Sequence, residues 1–185
     1  MEDQKQTDLS VYKTTLTIGA GFFKQICWYV VNVCFFKNSL VLFSSVKVAL
    51  LRLFGAKVGK GVVVKPSVNI KFPWKLEVGD FSWIGEGVWI DNLSGVVIGK
   101  NVALSQGCLL LTGSHDHRRT TFDFLSAPIV LEDGVWICAK AIVLGGVTCH
   151  SHSILTAGSV CGTSLEPYTI YAGNPAVEVK KRVIK

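Results

Sequence analysis

The residues best suited to chemistry stand in one short run, Thr112-Gly113-Ser114-His115-Asp116-His117-Arg118-Arg119. An imidazole titrates close to neutrality, so His115 is suited to take a proton from an attacking hydroxyl and later return it. Asp116 is read either as the group that orients that ring or as a cap for the turn. His117 is either a neighbour in the same pocket or an exposed loop residue. Arg118 and Arg119 suit an anionic ligand, or are simply solvated. His150 and His152 complete the histidines. Three imidazoles around one ion with an open fourth position would make a zinc hydratase. Here His150 should face outward and His152 should sit at a corner, so the spacing does not gather three rings, and no metal site is expected.

Six cysteines (27, 34, 108, 138, 149 and 161) form no C-x-x-C pair. Residues 1–15, MEDQKQTDLSVYKTT, are polar and begin with acids, unlike a secretory leader. A reducing cytoplasmic compartment with free thiols is the expectation.

The elements that must position these groups are read from periodicity. After Gly55, aliphatic residues or Cys recur every six positions at Val58, Val64, Ile70 and Leu76; the register shifts by two to Val78, Ile84 and Ile90, and by two again to Ile98, Leu104 and Leu110. After an interruption the run resumes at Leu131, Ile137, Val143, Cys149, Leu155 and Cys161. Glycine often follows the lead position directly, as at Gly59, Gly79, Gly85 and Gly99. Such a hexapeptide repeat is one short strand plus a turn, and three hexads close a triangular coil. The lead residue points inward and stacks on its equivalent 18 residues on. Cys108, Cys149 and Cys161 fall on inward positions and are read as small hydrophobes. Trp74 stands where a small residue is expected, so its coil should be irregular. Residues 113–128 break the repeat, and an excursion from a regular scaffold is where function usually sits.

Before the repeat, residues 16–54 are apolar, interrupted by Lys24, Lys37, Lys47 and Arg52. The longest uncharged stretch, Gln25–Phe36, reaches about 18 Å as a helix. That is too short for a bilayer core of about 30 Å. Two helices, 22–37 and 39–54, are expected, ending at Gly55 and either lying on the body or touching a membrane interface. The division is thus 1–55 for the apolar, basic helical segment and 56–185 for the solenoid. Only 17% of residues are charged and 49% are hydrophobic, against about 25% charged in an average domain, which excludes a disordered polar chain. Charge is uneven. Residues 1–75 carry 11 Lys/Arg against 3 Asp/Glu, the remainder 8 against 10. An anionic partner at the N-terminal end would fit. Nucleic acid does not, since no helix-turn-helix, zinc-finger or stacking motif accompanies the basic residues.

Repeat and loop together resemble the left-handed β-helix acyltransferases, and among them the sugar O-acetyltransferases of exopolysaccharide operons, the colanic acid biosynthesis subgroup. The residues behind the narrower resemblance are LLRLFGAKVGKGVVVKPSVNIKFPWKLEVGD (50–80), CLLLTGSHDH (108–117), PIVLEDGVWI (128–137) and YAGNPA (171–176). The resemblance implies an all-β left-handed parallel solenoid with an N-terminal helical segment and a short C-terminal helix. It implies a homotrimer with acetyl-CoA as co-substrate and a sugar or glycan acceptor, and His115 as general base. Trp136 resembles the residue flanking the acetyl end of the groove, and Ala139 and Ala157 match positions whose backbone holds the pantetheine arm. Lys180 and Lys181 would meet the CoA phosphates. Gly162-Thr163 stands where the galactoside enzymes carry Thr-Lys, and Asp91-Asn92 departs from their acceptor side while still being placed to touch a sugar. A different acceptor follows, such as a polysaccharide unit or its lipid-linked precursor met at the inner face of the cytoplasmic membrane. A zinc enzyme resembling the γ-class carbonic anhydrases and a non-catalytic scaffold share the repeat and stand as the alternatives.

Overall fold

The computed structural model describes residues 5–185, so Glu2 and Asp3 of the acidic start lie outside it. Three parallel sheets form the walls of a prism. The first comprises Lys57–Val58, Leu76–Val78, Val96–Ile98, Ile129–Leu131 and Thr148–Cys149. The second runs through Val63–Val64, Trp83–Ile84, Ala103–Leu104, Trp136–Ile137, Ile154–Leu155 and Thr169–Gly173. The third comprises Asn69–Ile70, Trp89–Asp91, Leu109–Leu111, Ile142–Leu144 and Val160–Cys161. The hexad leads form three inner columns. Val58, Val78, Ile98, Leu131 and Cys149 pair in register on the first wall. Ile70, Ile90, Leu110, Val143 and Cys161 do so on the third. All are buried except Val58, which is half-buried at the end of its column.

The two-residue register shifts read at Val78 and Ile98 fall in the first coils. Val58 pairs with Val78 and Val78 with Ile98, because the corner joining the third wall to the first holds two extra residues. Leu76 is therefore an additional inward residue of its strand, paired with Val96, and leads no hexad. The glycine after the lead answers a close approach between coils. A Cβ on Gly99 would lie 2.5 Å from the Asp133 carboxylate and 2.8 Å from its backbone nitrogen, a clash the coils cannot relieve without separating. Cys108, Cys149 and Cys161 are buried as read, and burial pushes the Cys108 thiol up to about 12.

The N-terminal segment closes the first coil. Helix α1 spans Phe22–Val31 and continues as a wider turn over Asn32–Phe36. Helix α2 spans Ser44–Leu53 and stops at Gly55, with φ +100°. It starts later than expected, because the Asn38 side chain accepts from the Leu40 amide in a turn and Phe43 remains extended. Side chains of both helices then take up the free edge. Trp28 Nε1–H donates to the Ile70 carbonyl at 2.9 Å, Ser44 Oγ bonds both polar groups of Val64, and Arg52 donates to the Val58 and Gly59 carbonyls. Lys47 is fully buried, donates to the Lys65 carbonyl at 2.9 Å, and has its pKa lowered by that burial. An edge that would otherwise invite strand addition is thereby satisfied.

Trp74 does disturb its coil, in a 3-10 turn over Pro73–Lys75. At the other end the expected C-terminal helix is absent. Ala176–Lys181 is a strand antiparallel to Thr169–Gly173, turned at Gly173–Ala176. Val177 and Val179 alternate with Glu178 and Lys180, and this period of two with β-branched residues favours a strand.

Candidate active site

Each coil has three corners, and the 113–128 excursion leaves the corner between the third wall and the first. It opens as a hairpin, Gly113–His115 antiparallel to Phe124–Ser126, with His115 opposite Phe124. Its tip is closed by backbone bonds from the Asp116 amide to the Asp123 carbonyl and from the Phe122 amide to the Arg119 carbonyl. Phe122 is held at φ +50°, a conformation non-glycine residues rarely adopt. This turns its carbonyl back toward the hairpin, where it lies 3.0 Å from His115 Nδ1.

A carbonyl only accepts, so Nδ1 carries the proton and Nε2 holds the lone pair. The ring is further fixed by stacking on Phe122, with centroids 4.4 Å apart and planes 8° apart, and by the edge of Phe124 at 5.8 Å. Tyr12 closes the other side at 5.7 Å. It arrives on the N-terminal arm, which is tied to the loop by the Asp8 amide donating to the Thr120 carbonyl at 2.8 Å. Nε2 bonds no protein group among the described residues. The result is a half-buried, oriented imidazole with a free acceptor nitrogen. Beside it a cleft of about 660 Å³ runs between the arm and the hairpin, lined by Leu16, Lys75, Leu93 and Phe124 among others.

The other expected residues divide into distinct places. Asp116 makes no contact with the imidazole. Its carboxylate takes a two-point bond from Arg118, at 2.9 and 3.2 Å, and Arg119 pairs with Asp123 at 2.9 Å. The Arg118 guanidinium holds the Asp116 carboxyl down at about 2. Asp116 therefore closes the turn, and the Phe122 carbonyl does the orienting. His117 is exposed in the loop. Asn92 is fully buried and bonds both backbone polar groups of Phe72, at 2.9 and 2.6 Å, replacing ladder bonds in the irregular coil. It offers no atom to a sugar. Asp91 is buried beside Lys71, with 3.1 Å between Oδ1 and Nζ.

Trp136 stands on the outer face of the second wall and donates to Ser105 Oγ at 2.9 Å. Ala139 and Ala157 occupy the corner between the second and third walls, and their amides bond no protein acceptor among the described residues. Gly162 and Thr163 are exposed at the same corner as the His115 loop, two coils further on. Lys181 is engaged by Thr169 at 2.9 Å and Glu178 at 3.0 Å, while Lys180 is exposed on the end strand. Within one chain, Trp136, Ala139 and Ala157 thus face away from His115. His150 bonds Glu132 at 2.9 Å, and His152 sits at a corner with φ +61°, stacked on Tyr168. Among the described residues no three His, Cys, Asp or Glu side chains gather to hold a metal ion.

Sequence reasoning did not reach Tyr12, Phe122 or Phe124. Phe122 and Phe124 lie within the loop it singled out, whereas nothing in the sequence ties Tyr12 to a residue a hundred positions away.

No protein-family model matches the chain. WcaF of Escherichia coli, named as an acetyltransferase of colanic acid biosynthesis, is 38% identical over 89% of this chain and 91% of its own. The galactoside O-acetyltransferase of Escherichia coli is 26% identical over 72% of this chain and 67% of its own. Among solved structures, the hexapeptide-repeat acetyltransferase VCA0836 of Vibrio cholerae in complex with acetyl-CoA superimposes with a TM-score of 0.76. It is 26% identical, over 86% of each chain. A maltose O-acetyltransferase from Clostridium difficile shares the fold, with a TM-score of 0.73 at 23% identity over 87% of each chain. The identity to WcaF runs almost end to end, and the same coil recurs in the solved structures. The chain therefore belongs to the hexapeptide-repeat acetyltransferases, enzymes built on a left-handed parallel β-helix.

Proposed function

We propose that the protein moves an acetyl group from acetyl-CoA to a hydroxyl of a sugar, a unit of an exopolysaccharide or capsule or its lipid-linked precursor, with His115 as the general base. The observation that carries this reading is the bond from His115 Nδ1–H to the Phe122 carbonyl, which leaves Nε2 free to accept a proton. The sugar side is supported by WcaF and by the galactoside and maltose enzymes. The acetyl-CoA side is supported by the Vibrio cholerae complex.

In this mechanism the sugar hydroxyl attacks the thioester carbonyl while Nε2 takes its proton, giving an imidazolium and a tetrahedral oxyanion. Collapse breaks the carbon–sulfur bond, and Nε2–H returns the proton to the departing CoA thiolate. A backbone N–H near the reacting carbon is expected to stabilise the oxyanion. The Phe122 carbonyl also stabilises the imidazolium, because its accepted hydrogen bond strengthens when the ring is charged.

His115 and the group formed by Trp136, Ala139 and Ala157 lie on different sides of one prism. The site is accordingly read as a groove between neighbouring copies of a homotrimer, one giving the base and the next the wall and backbone amides. Ala139 and Ala157 would hold the pantetheine arm, with Gly162, Thr163, Lys180 and Lys181 toward the CoA nucleotide. Thiol release from acetyl-CoA with a panel of sugar acceptors tests the assignment. His115→Ala is expected to lower turnover by about 10²–10⁴ with acetyl-CoA affinity retained. Unchanged turnover in that variant would remove His115 from the mechanism.

A further inference from the structure

Helix α1 is apolar on its buried face and on the exposed face beside it. Trp28, Asn32 and Phe36 turn toward the first coil and are buried. Phe22, Phe23, Ile26, Tyr29, Val30 and Val33 are exposed, Phe22 at 77% and Phe23 at 80%, with Phe22, Ile26 and Tyr29 lining a groove between α1 and the third wall. The link to α2 and the end of α2 expose further large apolar side chains, with Leu40 at 84%, Leu42 at 69%, Phe43 at 73% and Leu53 at 77%. A helix with so many large apolar side chains on its solvent side does not rest against water, and an exposed apolar surface of this extent marks a place where something docks.

The charge around the patch points to one occupant. Between Asp8 and Glu77 there is no acidic residue, while Lys13, Lys24, Lys37, Lys47, Arg52, Lys57, Lys60, Lys65, Lys71 and Lys75 lie in that interval. A second copy meeting the same face would set the exposed cations among these, Lys37 at the end of α1 first, against their own equivalents. An anionic lipid surface would instead be attracted, at about 1 kcal/mol per exposed Lys or Arg near it. No helix among the described residues is long and apolar enough to cross a bilayer, so the fitting arrangement is a helix lying in the interface.

We propose that the cap end of the prism docks on an anionic membrane surface, with the exposed side of α1, residues 40–43 and Leu53 in the interface and Lys37 at the lipid phosphates. The geometry has a consequence for the acceptor. The His115 loop leaves the third coil, two strand spacings of about 4.8 Å beyond the first, with a helical layer of about 10 Å beneath. The imidazole would then stand roughly 20 Å above the surface, within reach of a sugar carried on a lipid head group.

Flotation of the whole chain with vesicles tests the docking without relying on turnover. Binding is expected to phosphatidylcholine vesicles containing about one-third phosphatidylglycerol, with little to phosphatidylcholine alone, and to weaken as ionic strength rises to about 0.5 M. The double variant Phe22→Glu, Leu42→Glu should bind at least about tenfold more weakly, and Lys37→Glu should weaken the preference for anionic vesicles. Phe22, Lys37 and Leu42 are all exposed, so both variants should melt as wild type does. Failure to float with anionic vesicles overturns the proposal, as does equal binding by the Glu variants. It is also overturned if light scattering shows a larger assembly that Phe22→Glu, Leu42→Glu dissolves, since the face would then hold a second copy.

Discussion

At the scale of single residues, the orienting of His115 rests on a backbone carbonyl, and the nearby carboxylate serves the loop that carries it. Asp116 is held at a pKa of about 2 by its bond to Arg118, below the ordinary value for an aspartate. A carboxylate whose folded-state pKa is depressed contributes stability that is complete above its unfolded value and lost as pH falls through the folded one. The loop should therefore keep its closure down through the range in which a free aspartate protonates, and open only as pH approaches about 2. Hydrogen exchange at the Arg118 and Phe122 amides, followed from neutral to strongly acidic solution, checks this. Asp116→Asn should loosen the same amides at neutral pH while lowering turnover by no more than about tenfold. A loss as large as that of His115→Ala would return Asp116 to the reacting groups.

Among the elements, the N-terminal cap and the solenoid depend on each other. The first coil ends in carbonyls and amides that Trp28, Asn32, Ser44, Lys47 and Arg52 satisfy, and the helices gain their burial from that coil. Trp28 is the keystone, 2% exposed, with its ring edge-on to Phe36 at 5.2 Å and tilted to Phe54 at 5.2 Å. Trp28→Ala would leave a cavity and an unpaired Ile70 carbonyl, and should cost roughly 3–5 kcal/mol. Thermal or denaturant unfolding measures it. Loss of the α1 signal ahead of the β signal would show the cap peeling from a coil that then exposes its edge.

For the whole molecule, the separation of His115 from Trp136, Ala139 and Ala157 makes assembly the test of the site. His115→Ala removes the base from one side. Ala157→Trp places a large side chain at an exposed corner position and should block the other without disturbing the core. Each variant alone is expected to be inactive. Coexpressed in equal amounts they should recover about a quarter of wild-type turnover, the fraction of grooves that pair an intact base with an intact wall. No recovery in mixed oligomers would place the whole site within one chain.

Periodicity alone was enough for the solenoid, because each hexad decides locally which residue points inward and the inner columns simply repeat that choice. It also marked the 113–128 excursion and His115 as a break in an otherwise regular coil. It registered the corner carrying two extra residues as well, as the steps from Leu76 to Val78 and from Ile90 to Ile98, whereas the expected C-terminal helix gave way to a strand that the alternation of Val177 and Val179 with charged neighbours already allowed. Asn92 looked like a polar group offered to a ligand. Only the tertiary structure shows it spent on Phe72, since an irregular coil must replace its missing ladder bonds. The proton position on His115 was likewise out of reach, because it follows from one left-handed residue at Phe122. The wall formed by Tyr12 comes from an arm more than a hundred residues away, and contacts at that separation leave no trace in spacing.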